Sequence, residues 1–183
     1  MDEALLELLY RKEYEYITIK EICKKAEVNR STFYLHYENM DDLLSECLTL
    51  KYHEFFSSFD LSNLKEITSA RIEDLNFIKP EYLRPFLEFI RKNSILFRLS
   101  ISRPKLMKID IAINKIVKDC ISPVLDRLNV NENSRKYIIS YYLNGLSGIV
   151  NVWIKNDCKD DIEMMIQFIM NLVSAEILLK NHE

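Results

Sequence analysis

The stretch ITIKEICKKAEVNRSTFYLHYENMDDLL, Ile17 to Leu44, decides the fold. Thr18 followed three residues later by Glu21 reads as a capping box, each side chain satisfying the other's backbone amide at a helix start. Ile17 ahead of the cap and Ile22 at the fourth helical position form a hydrophobic staple. The helix runs to about Lys25 with Ile19, Ile22, Cys23 and Ala26 facing inward. Asn29 offers the next cap, for a short helix from Arg30 to about Tyr37 whose inner face holds Phe33 and Tyr37, four apart. Asn39 caps a third helix, Met40 to about Ser57, with Asp41 and Asp42 in the first turn where the helix dipole favours anions. Only Ala26, Glu27 and Val28 separate the first two of these helices. That turn is too short to fold them antiparallel, so they cross steeply, as in a helix-turn-helix.

The outer side of the short helix carries Arg30, Ser31, Thr32, Tyr34, Leu35 and His36. An exposed short helix of this composition suits the DNA major groove. Arginine can bridge guanine edges, Ser and Thr can serve either strand, and Tyr and His can reach phosphates.

Outward from this stretch the whole chain reads as helix. Toward the N-terminus, Ala4, Leu5, Leu8 and Leu9 recur at helical spacing from Asp2 to about Lys12, and Tyr14 and Tyr16 form a connector. Toward the C-terminus, helices are expected at Leu64 to Ile78, from an opening bracketed by Pro80 and Pro85 to Asn93, and from Ser94 to Ile101. A longer one follows from Lys105 to Leu128, with Pro123 inside it as a kink. Asn129 to Asn133 is a turn, Ser134 to Lys155 a strongly apolar helix, Asp157 to Asp161 a polar break, and Ile162 to Leu179 the last helix. Two glycines in 183 residues exclude most β-sandwich, Rossmann and P-loop designs, which consume glycine at turns and phosphate loops. The fold class is therefore all-α, about nine helices: a three-helix N-terminal helix-turn-helix domain and a C-terminal antiparallel helical bundle.

The same Ile17 to Leu44 stretch resembles the DNA-binding signature of the TetR family. The matching positions are Thr18, Ile22, Ala26, Val28, Thr32, Phe33, Tyr34, His36, Tyr37, Leu43 and Leu44, at fixed spacing over about a quarter of the chain, and the NRSTFYLHY run is most similar to a low-GC Gram-positive branch. The resemblance implies that Thr18 contacts phosphate, that Asn29, Arg30, Ser31 and Thr32 face bases and nearby phosphates, and that Tyr34 and His36 grip the backbone. Val28, Phe33 and Tyr37 pack the motif, and Lys20 and Leu35 complete the expected DNA-binding set. Three departures stand out. Glu27 replaces the family's turn glycine, Met40 replaces the usual lysine, and the chain begins at Met1 inside the first helix with no basic arm.

Charge follows the departures. Residues 1–50 hold 6 Lys/Arg against 11 Asp/Glu and the remainder 19 against 17, so the expected reader is the more acidic part of a chain of net charge −3. Between Thr18 and Tyr37 the balance reverses, with Lys20, Lys24, Lys25 and Arg30 against Glu21 and Glu27.

The resemblance also implies a division into a DNA-binding domain over 1–47 and a ligand-sensing, dimerising domain over 48–183. The expected partners are a double-stranded DNA operator, a small-molecule effector and a second copy of the chain, with no cofactor, no metal and no membrane. Aromatic residues Phe55, Phe59, Tyr82, Phe86, Phe89, Phe97 and Tyr141 are the candidate pocket lining. Tyr142, Leu146, Ile149, Trp153, Met165, Ile169, Leu172 and Val173 are the candidate dimer interface. Gly145 and Gly148, three apart on one helix face, leave a notch for close helix packing. The expected function is a ligand-responsive transcription regulator, by family habit a repressor. The alternative is an interaction adaptor on the same scaffold with a weakened reader. An enzyme is not expected, since His36, His53 and His182 neighbour no nucleophile and no phosphate loop or metal motif appears. The absence of a signal peptide and of a membrane-spanning run, with dispersed cysteines, points to a cytoplasmic protein.

Overall fold

The computed structural model describes residues 1–58 and 79–180, with the backbone alone for Cys120 and residues 173–180. Every regular element among the described residues is helical. In chain order they are α1 (Asp2–Arg11), a 3₁₀ turn (Tyr14–Tyr16), α2 (Ile19–Lys25), α3 (Arg30–His36), α4 (Met40–Ser58), α5 (Pro80–Lys92), α6 (Ser94–Ser102), α7 (Ile109–Ile116), a π-helical turn (Val117–Ile121), α8 (Ser122–Arg127), α9 (Glu132–Lys155) and α10 (Ile162–Lys180). The expected helix from Leu64 to Ile78 lies outside the described residues. No helix among the described residues is long and apolar enough to cross a membrane.

The chain divides into two compact units. The first joins Met1–Phe56 to Ile95–Lys108. Its core takes Leu5, Leu6 and Leu9 from α1, Ile22 and Cys23 from α2, Phe33 from α3, Leu43, Leu44, Cys47, Leu48 and Phe55 from α4, and Leu96, Leu99 and Met107 from the second segment, all buried. Polar contacts tie that second segment in. The Arg103 guanidinium donates to the Lys12 carbonyl at 2.9 Å, at the end of α1, and to the Glu13 carboxylate at 3.0 Å. The Tyr52 hydroxyl donates to the Met107 carbonyl.

The second unit comprises Ser57–Ser94 and Ile109–Glu183. Here α5 packs against α10, and Arg84 donates to Glu163 at 2.8 Å. Its described core includes Leu83, Leu87, Phe89, Ile90, Val124, Leu125, Trp153, Ile154, Ile162, Met165, Ile166 and Ile169. The Trp153 indole N–H finds the Asp160 carbonyl at 3.0 Å, satisfying the polar atom of a residue that is otherwise sealed in apolar surroundings.

One expected helix is corrected. Residues 105–108 form turns that end in Lys108 at φ 49°, and the regular helix starts at Ile109. Where a kink is expected at Pro123, the chain makes a π-helical turn just before that residue. Pro123 has no amide hydrogen to offer, and the preceding turn widens so that the Ser122 N–H reaches back to the Val117 carbonyl. Among the described residues nothing packs closely at Gly145 and Gly148, because a Cβ at either position would meet nothing within 4 Å.

Candidate nucleic-acid interface

The capping box forms as the spacing requires. The Glu21 amide donates to Thr18 Oγ1 at 3.3 Å, and the Thr18 amide donates to Glu21 Oε2 at 3.0 Å. Lys12 completes the joint, donating to Glu21 Oε1 at 2.6 Å and to the Tyr16 carbonyl at 2.7 Å. The Lys12 ammonium and then the Thr18 hydroxyl hold the Glu21 carboxyl at a pKa of about 2. The Thr18 hydroxyl is thus exposed but committed to the cap.

The turn between α2 and α3 closes by the Val28 amide donating to the Cys23 carbonyl at 2.9 Å. That six-residue closure needs a left-handed residue just past the helix end, and Glu27 occupies it at φ 55°. Asn29 stands at the cap position of α3 in extended backbone, and its side chain bonds none of the helix amides. At the next start, Asn39 Oδ1 does cap α4, accepting from Asp41 at 2.8 Å and Asp42 at 3.0 Å.

Helix α3 is held from behind. Phe33 is fully buried and Tyr37 is 8% exposed, with ring centroids 5.5 Å apart. The Tyr37 hydroxyl reaches Glu46 at 3.2 Å, and burial, then the Glu46 charge, pushes its pKa up to about 12. Tyr14 donates to Asp41 at 2.6 Å, and its pKa rises, first through burial and then through that bond. The front of α3 is open. Arg30, Ser31, Tyr34, Leu35 and His36 are exposed and Thr32 is half-buried. Arg30 reaches the Tyr34 hydroxyl at 3.4 Å, one turn on. Lys20 is exposed on α2. The DNA-binding set read from the sequence is therefore brought together on α3 and the starts of α2 and α3.

Several acids of the first unit face bases of the same unit: Glu7 meets Lys25, Glu3 meets Lys51 at 2.8 Å, and Glu13 meets Arg103. Burial works against the Lys51 charge, and Glu3 and Glu54 more than offset it, so its pKa is raised. Tyr16, which the spacing did not single out, is 72% exposed two residues ahead of the α2 cap. Its only signal in sequence is a phenol in a connector with no apolar partner at helical spacing.

The other candidates belong to several helices. Phe55 and Phe97 meet edge to face in the first unit, centroids 6.2 Å apart. Tyr82, Phe86 and Phe89 lie on α5 in the second, with Phe89 buried. Tyr141 stands 58% exposed on α9 against Tyr142. Phe59 is outside the described residues. Of the interface residues, Trp153, Met165 and Ile169 are 1%, 6% and 1% exposed and packed inside their own chain, which corrects that expectation. Tyr142, Leu146 and Ile149 are half-buried, Leu172 is exposed and the Val173 side chain is not described. The exposed large apolar side chains described on these two helices are Tyr137, Tyr141 and Val152 on α9 and Met164, Phe168 and Leu172 on α10. Among the described residues no cluster of His, Cys, Asp or Glu could hold a metal.

Comparison with known proteins follows the same division. Residues 3–47 match the family model described as bacterial regulatory proteins, tetR family, and residues 80–175 match a transcriptional regulator C-terminal region of the same family. The chain is 25% identical to the HTH-type transcriptional regulator YxbF of Bacillus subtilis (strain 168) over 95% of its own length and 44% of that protein, so it spans under half the length of this curated relative. Among solved structures, the dihydroxyacetone kinase operon activator DhaS matches with a TM-score of 0.57 at 17% identity, covering 97% of this chain and 94% of that one. The fatty acid degradation regulator FadR from Bacillus halodurans matches with a TM-score of 0.56 at 18% identity, covering 93% and 90%. These two likenesses establish the fold.

Proposed function

The chain belongs to the tetR family of bacterial transcription regulators, and we propose that it acts as a homodimer that lays α3 of each protomer in the major groove of an operator and loosens or tightens that grip when a small ligand binds. The reader is residues 1–47, and residues 48–183 sense and pair. The observation that carries the reading is the posture of α3. Phe33 and Tyr37 anchor it from behind while Arg30, Ser31, Tyr34, Leu35 and His36 stand in solvent on one short helix. Lys20, Thr18 and Asn29 flank it as phosphate contacts, and Tyr16 joins them.

Pairing is supported by what α9 leaves uncovered. Of its 24 residues only Val150, Trp153 and Ile154 are buried. Tyr137, Tyr141, Gly145, Gly148 and Val152 follow one another at helical spacing along the opposite face, and the open space at the glycines suits the close approach of another helix. The proposed interface is this stripe together with Met164, Phe168 and Leu172 of α10; Tyr142 and Ile149 flank the stripe, while Leu146 lies toward the buried side of α9. The proposed ligand contacts narrow to Tyr82, Phe86 and Phe89 on α5. A ligand that favours one spacing of the two readers shifts DNA affinity by that preference, and symmetric half-sites about one helical turn apart are expected. The proposed sense is repression, the family's common mode.

Fluorescence anisotropy with duplexes tiled across the DNA flanking the gene tests the reading, at low and near-physiological salt against a scrambled duplex. Tight, sequence-dependent binding that survives the higher salt is expected. Weak binding, equal on all duplexes, overturns it.

A further inference from the structure

We infer that Leu35 is the residue of α3 that reads a thymine, by packing on its 5-methyl group at the floor of the groove. The inference rests on the DNA-reading proposal and adds the base and the chemistry. Successive residues of an α-helix are about 100° apart around its axis. Phe33 is fully buried and so marks the inward direction. Leu35 and Ser31, two residues to either side, point about 160° away from it, which is the outermost line of the helix. Arg30 and His36, three residues to either side, lie only about 60° from the buried direction, beside the body of the domain. Whatever the tip of α3 meets first, it meets through Ser31 and Leu35.

A leucine there is costly in the free protein. Leu35 is 80% exposed, the most exposed large hydrophobic side chain among the described residues. It can neither donate nor accept a hydrogen bond. Against the polar edges of guanine, cytosine or adenine it would strip water and return nothing. The thymine 5-methyl is the one apolar group that the bases present in the major groove. Contact with it removes apolar surface from water on both sides, and the side chain thereby discriminates against the other three bases.

The test uses the full chain. A randomised duplex library is selected on it, and the most enriched duplex is labelled for anisotropy. Each thymine is then replaced singly by deoxyuridine, which deletes the methyl and alters nothing else. The wild-type chain is expected to lose about fourfold in affinity, the worth of one buried methyl, at one thymine per half-site. Leu35→Ala is expected to bind the parent duplex more weakly and to be indifferent to uracil at that position, while keeping any penalty elsewhere. Leu35→Gln, selected afresh, is expected to move the preference at that position from thymine toward adenine. Thermal unfolding that matches wild type shows that both variants fold. Enrichment of no sequence overturns the DNA-reading proposal, and this inference with it. Enrichment followed by indifference of the wild type to every thymine-to-uracil exchange, or an equal penalty in Leu35→Ala, overturns this inference alone.

Discussion

Glu27 holds φ at 55° because the Val28 amide must reach the Cys23 carbonyl, and only a left-handed residue lets it. For a residue with a Cβ that conformation costs on the order of 1 kcal/mol. Glu27→Gly is therefore expected to stabilise the first unit by about 1 kcal/mol, read as a rise in the midpoint of thermal unfolding, with no change in helix content. A second residue makes stability depend on pH. The folded Glu21 carboxyl titrates at about 2 against an ordinary 4.5, because Lys12 and Thr18 bond its charged form. The folded value is the lower one, so the stabilisation is complete above about pH 4.5 and disappears as pH falls toward 2. Glu7, lowered by Lys25, adds in the same direction. Glu21→Gln keeps the cap geometry and loses the charge. Its melting temperature is expected to fall less than that of wild type between pH 5 and 2.5, and parallel curves would contradict this. Both residues were legible beforehand, Glu21 from a three-residue spacing and Glu27 from its departure at a turn. Lys12 as the partner of Glu21 was not, because nothing local relates residues nine apart across a connector.

At the scale of elements, caps were the best-read feature. Thr18 and Asn39 start α2 and α4 where their side chains can accept from amides of the second and third helical residues. Asn29 shows the limit of the rule, since it holds the cap position without using its side chain. Thr18→Ala is expected to cost about 1 kcal/mol, and on the proposed function to weaken DNA binding about evenly across sequences, because a phosphate contact carries no base information. Calorimetry and anisotropy on the same sample separate the two effects. The break in the long helix after Pro104 was misread, because the run from Lys105 to Leu128 keeps helical periodicity through Lys108, whose left-handed backbone no periodicity reveals. The π-helical turn before Pro123 was foreseen as a kink but not in kind. A missing amide says that a bond is lost and leaves open whether the helix bends or widens.

At the scale of the molecule, the choice of face was where sequence reasoning failed. α9 and α10 are apolar on two sides, and spacing alone does not say which side the chain keeps for itself. Trp153, Met165 and Ile169 went inward, and the stripe offset from them was left to solvent. Tyr141→Glu combined with Phe168→Glu is expected to turn a dimer into a folded monomer in sedimentation velocity at micromolar concentration. A wild-type chain that already sediments as a monomer would overturn the pairing proposal. Aromatic residues at helical spacing mark burial, and burial recurs in both units, so spacing alone does not single out a pocket.

The hold of Arg103 and Tyr52 on the segment carrying Leu96, Leu99 and Met107 has a consequence for how the chain comes to be. A ribosome that has released the first 56 residues has delivered every side chain proposed above to contact DNA and only part of the interior on which they stand. The missing part, Ile95–Lys108, emerges only after Ser57–Ser94, which belong to the other unit. The nascent reader must wait, part-built, for its own foundation. A fragment ending at Phe56 is accordingly expected to show little cooperative unfolding by circular dichroism, and adding a separate peptide spanning Ile95–Lys108 to restore part of it.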